Sequence, residues 1–569
     1  MVSYTISYQY PHQHFININI TIRQIDQAYT YLQLPAWRPG RYELANYAKN
    51  IPWLKATTAE GKVLPIDKVT KDRWQIETKG VDSLEVTYQY YAAQLDAGGC
   101  WLDAQQLYLN FVNCLCYVEG RLDEPCEVAL QLPDRYEIAC GLEEVKKHTL
   151  QATDYHHLVD SPLIASADLK HQTYEVAETV FHIWIQGDWE PDWVAMCQEF
   201  SSFTKNQIDM MGAFPEKDYH FLFQILPYKF YHGVEHRNST VIVLGPDVAM
   251  EQEEMYQNLL SVSSHELFHA WNVCKIRPEE MYPYNYAQEN YFTTGFVVEG
   301  ITSYIGDIFL VRSGVWKYQQ YIEALNEYIK RHFDNFGRFN HSLVDSSFDL
   351  WLDGYTKGIP NRKVSIYAKG ALVALILDLQ IRQATANGKS LDDVMRKLWK
   401  DYAQQNKGYS IEAYQQVVEE VAGQSMQAYF DQFIFGKEPL ENILSKLLEA
   451  FGFTLMTNFI NKGTEVFSFQ VVNKEGKTLV SNIIPASNAS KVLSLNDELA
   501  AVDGRQIENN LTALITNKNR IKMHLFRNRQ LEEVILEADD KMYFCEYYVQ
   551  IKSNIDEAQQ KNLKGWLNG

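Results

Sequence analysis

The sequence predicts a multidomain chain: an all-β, sandwich-like N-terminal domain, a mostly helical α+β middle and a strand-rich C-terminal module. Three observations lead there. The chain is 569 residues long, room for about three or four domains. Its first third alternates apolar and polar residues with period two. From about 251 to 445 the pattern turns helical, and alternation returns from about 453.

The N-terminal strands are legible one by one. In Phe15-Ile16-Asn17-Ile18-Asn19-Ile20-Thr21-Ile22, four isoleucines share one face. Leu84 to Tyr90 and Cys126 to Leu132 repeat the pattern, with turn signals at Pro39-Gly40 and Gly98-Gly99. Cys114-Leu115-Cys116 sits in an apolar run and reads as strand packing. Between 175 and 250 the pattern is mixed, with short strands expected at Phe221–Ile225 and Thr240–Leu244. Ser365 is placed to cap a helix ending near Asn387-Gly388. Ser390-Leu391-Asp392-Asp393 resembles a capping box, and Ser410 and Gly423 bracket another helix. In the last module, Asp503-Gly504 follows an apolar run, as a hairpin turn does. The expected divisions are 1–172, 173–445 and 446–545, with 546–569 as a C-terminal tail.

Bulk properties narrow the partners. The net charge of −20 repels nucleic acid and anionic lipid, so neither is expected as a partner. No segment approaches a membrane span: the most apolar run, Ala371 to Leu377, is stopped by Asp378. The start, MVSYTISYQYPHQHF, has no basic and apolar leader pattern, and the eight cysteines include no CxxC pair. Reduced thiols and a cytoplasmic location are expected.

The chemistry is carried by Ser264-His265-Glu266-Leu267-Phe268-His269-Ala270-Trp271. On a helix, His265 and His269 lie one turn apart and face the same way, which suits two ligands of one tetrahedral zinc ion. Glu266 can then take the proton of an attacking water whose pKa the metal lowers. Two histidines at this spacing can also be plain surface or core residues. The apolar flanks Leu267, Phe268, Ala270 and Trp271 argue for a buried site, where a pair without a metal is awkward. Catalytic zinc takes a third protein ligand. Glu299, in the apolar stretch Gly295-Phe296-Val297-Val298-Glu299-Gly300-Ile301-Thr302-Ser303-Tyr304, is the candidate; a solvated acid at a helix start is the alternative.

At this point the chain resembles the glycyl aminopeptidase family of gluzincin metallopeptidases, relatives of thermolysin. The resemblance rests on His265-Glu266-Leu267-Phe268-His269, on Glu299-Gly300-Ile301-Thr302-Ser303-Tyr304 and on Tyr367-Ala368-Lys369-Gly370. Gly233-Val234-Glu235-His236 and Leu34-Pro35-Ala36-Trp37-Arg38-Pro39-Gly40-Arg41-Tyr42 add to it. It implies a thermolysin-like catalytic domain holding one Zn²⁺ per chain through His265, His269 and Glu299, with Glu266 as general base and then general acid. Tyr367 would stabilise the oxyanion; packing early in a buried helix is its other reading. Glu235, with Gly233, would bind the free α-ammonium of a peptide; a plain surface glutamate is its other reading. The group that orients the zinc histidines is open: Ser303 stands where thermolysin-like sites carry an acid, and Asp307 lies one turn on.

Residues 450–540 resemble a PDZ domain, through Ile483-Ile484-Pro485-Ala486-Ser487-Asn488-Ala489 and Leu495 to Gly504, although a Gly-Leu-Gly-Phe-type loop is missing. A peptide ligand there is one expectation and a structural role the other. The leading expectation is thus a zinc aminopeptidase acting on peptides with a free N-terminus, with the Gly/Ala preference implied by the family. The alternatives are an endopeptidase of the same chemistry and a non-catalytic PDZ scaffold.

Overall fold

The computed structural model describes residues 1–356, 358–459, 463–539 and 544–568. The N-terminal region is all-β in its sheets. An eight-stranded sheet runs in the order Glu143–Lys146, Thr149–Ala152, Cys126–Leu130, Val2–Ser7, Phe15–Arg23, Ser83–Tyr91, Leu54–Thr58, Val63–Leu64. Two four-stranded sheets add to it, and all three contribute to one core. The alternation read from the sequence does the work here: Ile16, Ile18, Ile20 and Ile22 are all fully buried, while Asn17, Asn19 and Thr21 between them are not. Cys114 and Cys116 are buried, but a short helix, Phe111–Cys114, stands where strand packing was expected. None of the eight cysteines is in a disulfide.

The middle region opens with a five-stranded sheet in the order Lys170–Val176, Thr179–Gln186, Asp218–Ile225, Ser239–Gly245, Phe230–Glu235. The last of these is an edge strand, antiparallel to Ser239–Gly245. The helices Glu253–Phe268, Thr302–Arg312, Tyr318–Phe333 and Ala368–Ala384 follow and share one large core with the sheet. No helix among the described residues is long and apolar enough to cross a membrane.

The C-terminal region is β-rich. Strands between Phe469 and Glu537 surround a separate core that includes Phe467, Val480, Val502, Met523 and Leu536. The stretch expected to be a tail is built into the fold instead. Cys545–Ile551 pairs along its whole length with Phe453–Phe459. The helix Glu557–Leu567 then buries Trp566 completely. The Trp566 indole donates to the Tyr304 hydroxyl at 2.8 Å, and Arg312 donates to its carbonyl at 3.1 Å. A lone apolar residue near a chain end gave no periodicity to read; long-range packing decides its place.

Candidate metal centre and active site

The helix Glu253–Phe268 starts on two acids, Glu253 and Glu254, which complement its positive end. It ends on the histidine motif, with His269 at the cap position. One turn of helix brings His265 Nε2 and His269 Nε2 to 3.0 Å. Glu299 comes from a π-helical turn, Phe296–Ile301, ahead of the helix Thr302–Arg312. Its Oε2 lies 3.4 Å from His269 Nε2 and 3.7 Å from His265 Nε2. Ligands of a tetrahedral zinc bonded at about 2.0–2.1 Å stand roughly 3.3 Å apart. The three donors fit that ion without rearrangement.

Asn272 ties these pieces together. Its carbonyl accepts from His269 Nδ1–H at 2.8 Å, which fixes the ring with Nε2 facing His265 and Glu299. Its side-chain amide donates to the Val297 and Val298 carbonyls (2.9 and 3.2 Å) and to Thr302 Oγ1 (2.9 Å), holding the turn that carries Glu299. The orienting group for His269 is therefore a backbone carbonyl, an acceptor invisible to any search for acidic side chains. Asp307 is committed elsewhere: it accepts from Ser261 Oγ (2.7 Å) and Tyr328 OH (3.0 Å), and burial pushes it up to about 6.

Three carboxylates converge on this pocket. Glu266 is 5% exposed, with Oε2 lacking a protein partner. Burial raises its pKa well above the carboxylate range; His269 opposes this, and Glu235 and Glu299 add to it. Glu235 ends the edge strand, and its Oε1 is buried and unpartnered. Burial raises it too, His269 opposes, and Glu299 adds. Burial works the same way on Glu299, yet hydrogen bonds with His265 and His269 bring it down to about 2. Against its own burial, His269 is driven up to about 10, chiefly by Glu299 and then by Glu235 and Glu266. The pocket demands positive charge, and His265, His269 and Glu299 can hold a metal. A second trio, Glu235, Glu266 and His269, has donors within 4.8 Å of one another as well. It shares His269, so one ion on the first trio leaves two carboxylates free beside it.

Close backbone approaches set the rest of the pocket. Gly300 and Gly370 meet where the Glu299 turn crosses the start of the helix Ala368–Ala384; a Cβ on Gly300 would stand 2.5 Å from Gly370 Cα. That crossing brings in Tyr367, just ahead of the helix, half-buried and near enough for the Glu299 charge to add to burial in raising its phenol pKa. Gly233 lies over Glu266, where a Cβ would be 2.3 Å from Oε1. Gly40, at φ 77°, lies against Glu235, where a Cβ would be 2.6 Å from Oε2. The N-terminal region thus reaches the centre through its Pro39-Gly40 turn. Tyr355 and Tyr42 accompany it: Tyr355 OH accepts from Tyr42 N–H at 3.2 Å and donates to the Gly40 carbonyl at 3.4 Å. Tyr42 closes the segment Leu34 to Tyr42, whereas Tyr355 lies in no segment singled out in the sequence and is placed by partners more than 300 residues away.

Family models match in two places. Residues 3–167 match the Peptidase M61 N-terminal domain, and residues 258–373 match the M61 glycyl aminopeptidase model. The chain belongs to the M61 peptidase family. The second match spans His265, Glu266, His269, Glu299 and Tyr367, and the first spans the Pro39-Gly40 turn; Glu235 lies outside both. Over its full length, and over 100% of the other chain, the M61 chain is similar to the crystal structure of an aminopeptidase N family protein from Idiomarina loihiensis, with TM-score 0.90 and 27% identity. The M1 zinc metallopeptidase from Deinococcus radiodurans, solved with a Tyr-Ser-Ala substrate in a mutant form, covers 77% of this chain and 94% of its own, with TM-score 0.48 and 13% identity. No curated protein matches the M61 chain significantly.

Proposed function

We propose that this M61 chain is a zinc aminopeptidase that removes small N-terminal residues from peptides. Its fold would comprise a thermolysin-like catalytic domain over 173–445, preceded by the β domain 1–172 and followed by a PDZ-like module over 446–545. The zinc would be held by His265, His269 and Glu299, one ion per chain, and supplies a Lewis acid that polarises the scissile carbonyl and lowers the pKa of water. Glu266, buried and raised in pKa, takes the proton of the attacking water and returns it to the leaving amine. The Tyr367 phenol donates a hydrogen bond where charge develops on the carbonyl oxygen. Gly233 leaves the room over Glu266 that a substrate backbone needs, and the free edge of Phe230–Glu235 offers main-chain groups for pairing.

The observation that carries the end-specific reading is Glu235. A buried carboxylate with an unpartnered oxygen, beside a metal site that already has its anionic ligand, calls for a cation. A peptide α-ammonium supplies one, and internal peptide bonds do not. The preference for Gly or Ala comes from the family alone. The test compares free and N-blocked aminoacyl amides, with zinc restored, on wild type and Glu235→Ala. Wild type should cleave only the free amines; equal rates on blocked and free substrates, unchanged by the substitution, would make the chain an endopeptidase.

The PDZ-like reading is supported by a cavity of about 460 Å³ bordered by Gln470, Val471 and Asn473 of one strand and by Leu511 and Thr512 of the helix Leu511–Ile515. A groove between a strand and a helix suits a peptide end.

A further inference from the structure

One buried cation beside the pocket touches no carboxylate. Glu235, Glu266 and Glu299 bring three carboxylates. Under the aminopeptidase reading, on which this inference rests, zinc and the substrate ammonium balance them. Arg38 is a further cation beside them, in the field of Asp96 but in contact with no carboxylate among the described residues. It is 3% exposed. Its one side-chain hydrogen bond among the described residues goes to its neighbour's carbonyl, Pro39 O, at 3.0 Å. No carboxylate among them lies within 4.0 Å of it. Asp96, which its field reaches, is engaged by Gln94 Nε2 (2.6 Å) and Gly98 N–H (2.8 Å) instead. None of its nitrogens is a buried atom without a partner, so the donors that Pro39 O does not take reach solvent, where an incoming anion can meet them.

The fold places Arg38 one short peptide away from the ammonium site. Arg38-Pro39-Gly40-Arg41 form a turn in which the Arg38 carbonyl accepts from Arg41 N–H at 3.3 Å and Gly40 takes the positive φ of a type II turn. Gly40 touches Glu235. Arg38 begins two residues back, at most about 7 Å along the chain. Its guanidinium lies flat on Gly98, where a Cβ would be 2.1 Å from Nε. It also adds to burial in bringing His232 down to about 4. His232 stands three residues before Glu235 on the edge strand, about 10 Å away. An extended dipeptide spans about 7 Å from end to end. With its ammonium on Glu235 and its backbone along the edge strand, its carboxylate reaches the Gly233–His232 stretch.

We propose that Arg38 is a specificity-determining residue that pairs with the free C-terminal carboxylate of di- and tripeptide substrates. The substrates this site favours are then short peptides with both ends free, the products of other peptidases rather than long chains.

The test measures kcat and KM for one Gly- or Ala-initiated dipeptide as the free acid and as the C-terminal amide, with the N-acetyl dipeptide as a third arm. The acid should have a KM about tenfold or more below the amide, the effect of one charge-assisted bidentate contact. Arg38→Gln should raise the KM of the acid about tenfold while leaving kcat and the amide within about twofold, and Arg38→Lys should recover part of the loss. Equal KM for acid and amide in wild type overturns the proposal even if the variants do not fold. So does an Arg38→Gln effect of equal size on both substrates, which is what a purely structural arginine gives. Rapid cleavage of the N-acetyl peptide overturns the aminopeptidase reading instead, and does so independently of the acid-to-amide ratio.

Discussion

Two histidine clusters in the middle region start from the same separation and end in opposite states. At the motif, His265 Nε2 and His269 Nε2 are 3.0 Å apart; on the sheet, His171 Nε2 and His182 Nδ1 are also 3.0 Å apart. At the first, Glu299 stands 3.4 Å from His269 and outweighs burial. At the second, the rings form a ladder. His171 stacks on Trp184 at 3.5 Å, His182 stacks on His220 at 4.3 Å, and the Trp184 indole donates to His220 Nδ1 at 3.1 Å. Asp218 stays 3.8 Å from His220 Nε2. Burial then wins: His171 falls to about 4, His182 is lowered and His220 goes well below the usual range. Neither trio of converging metal donors among the described residues includes a ladder histidine. Close histidines do not by themselves form a set of converging donors; a carboxylate aimed at the same point completes one that could hold a metal.

The largest effects should separate the clusters by metal content. His269→Ala or Glu299→Ala should take bound zinc from about one per chain to background and abolish turnover, with His182→Ala leaving both unchanged; zinc retained by Glu299→Ala would remove that residue from the ligand set. Next comes Glu266→Gln, which should keep the metal and lower kcat by about 10²–10⁴. Turnover near wild type would take the general base away from Glu266. Tyr367→Phe should lower kcat by about 10²–10³ with little change in KM, the cost of one oxyanion donor; a change confined to KM would return Tyr367 to a packing role.

The smallest effect belongs to the ladder and to pH. Its histidines titrate below their ordinary 6.5 in the folded chain. Between about 6.5 and 4 the unfolded chain binds more protons than the folded one, so stability is complete above 6.5 and is lost as pH falls through that window. His182→Asn should flatten the loss by a few degrees of Tm, read from melts at stepped pH; superimposable pH profiles for the two proteins would show that the ladder is electrostatically silent.

Much of this architecture is legible in the sequence because it is local. The alternation over Phe15 to Ile22 is a strand with its isoleucines inside. Ser410 and Gly423 cap the helix Ile411–Ala422, Ser390 and Asp393 form a reciprocal box, and Asp503 and Gly504 both take positive φ in a tight hairpin turn. The spacing of His265, Glu266 and His269 encodes a shared face, and a helix delivers it. What the sequence does not display is set by encounters between distant segments. Arg38 and Tyr42 lie in the quoted segment Leu34 to Tyr42, yet only the meeting of Gly40 with Glu235 and of Tyr42 with Tyr355 brings them to the centre. Asn272 acts partly through its backbone carbonyl, for which the residue type carries no signal. Trp566 is held by Tyr304 and Arg312, 262 and 254 residues away along the chain.

The central claim is that one zinc ion sits on His265, His269 and Glu299. Metal analysis of the full chain, purified without chelator, tests it most directly when wild type and Glu299→Ala are measured side by side. The expected result is about one zinc per wild-type chain and none above background in the variant. A wild-type chain that binds no zinc, or a variant that keeps it, would contradict the claim.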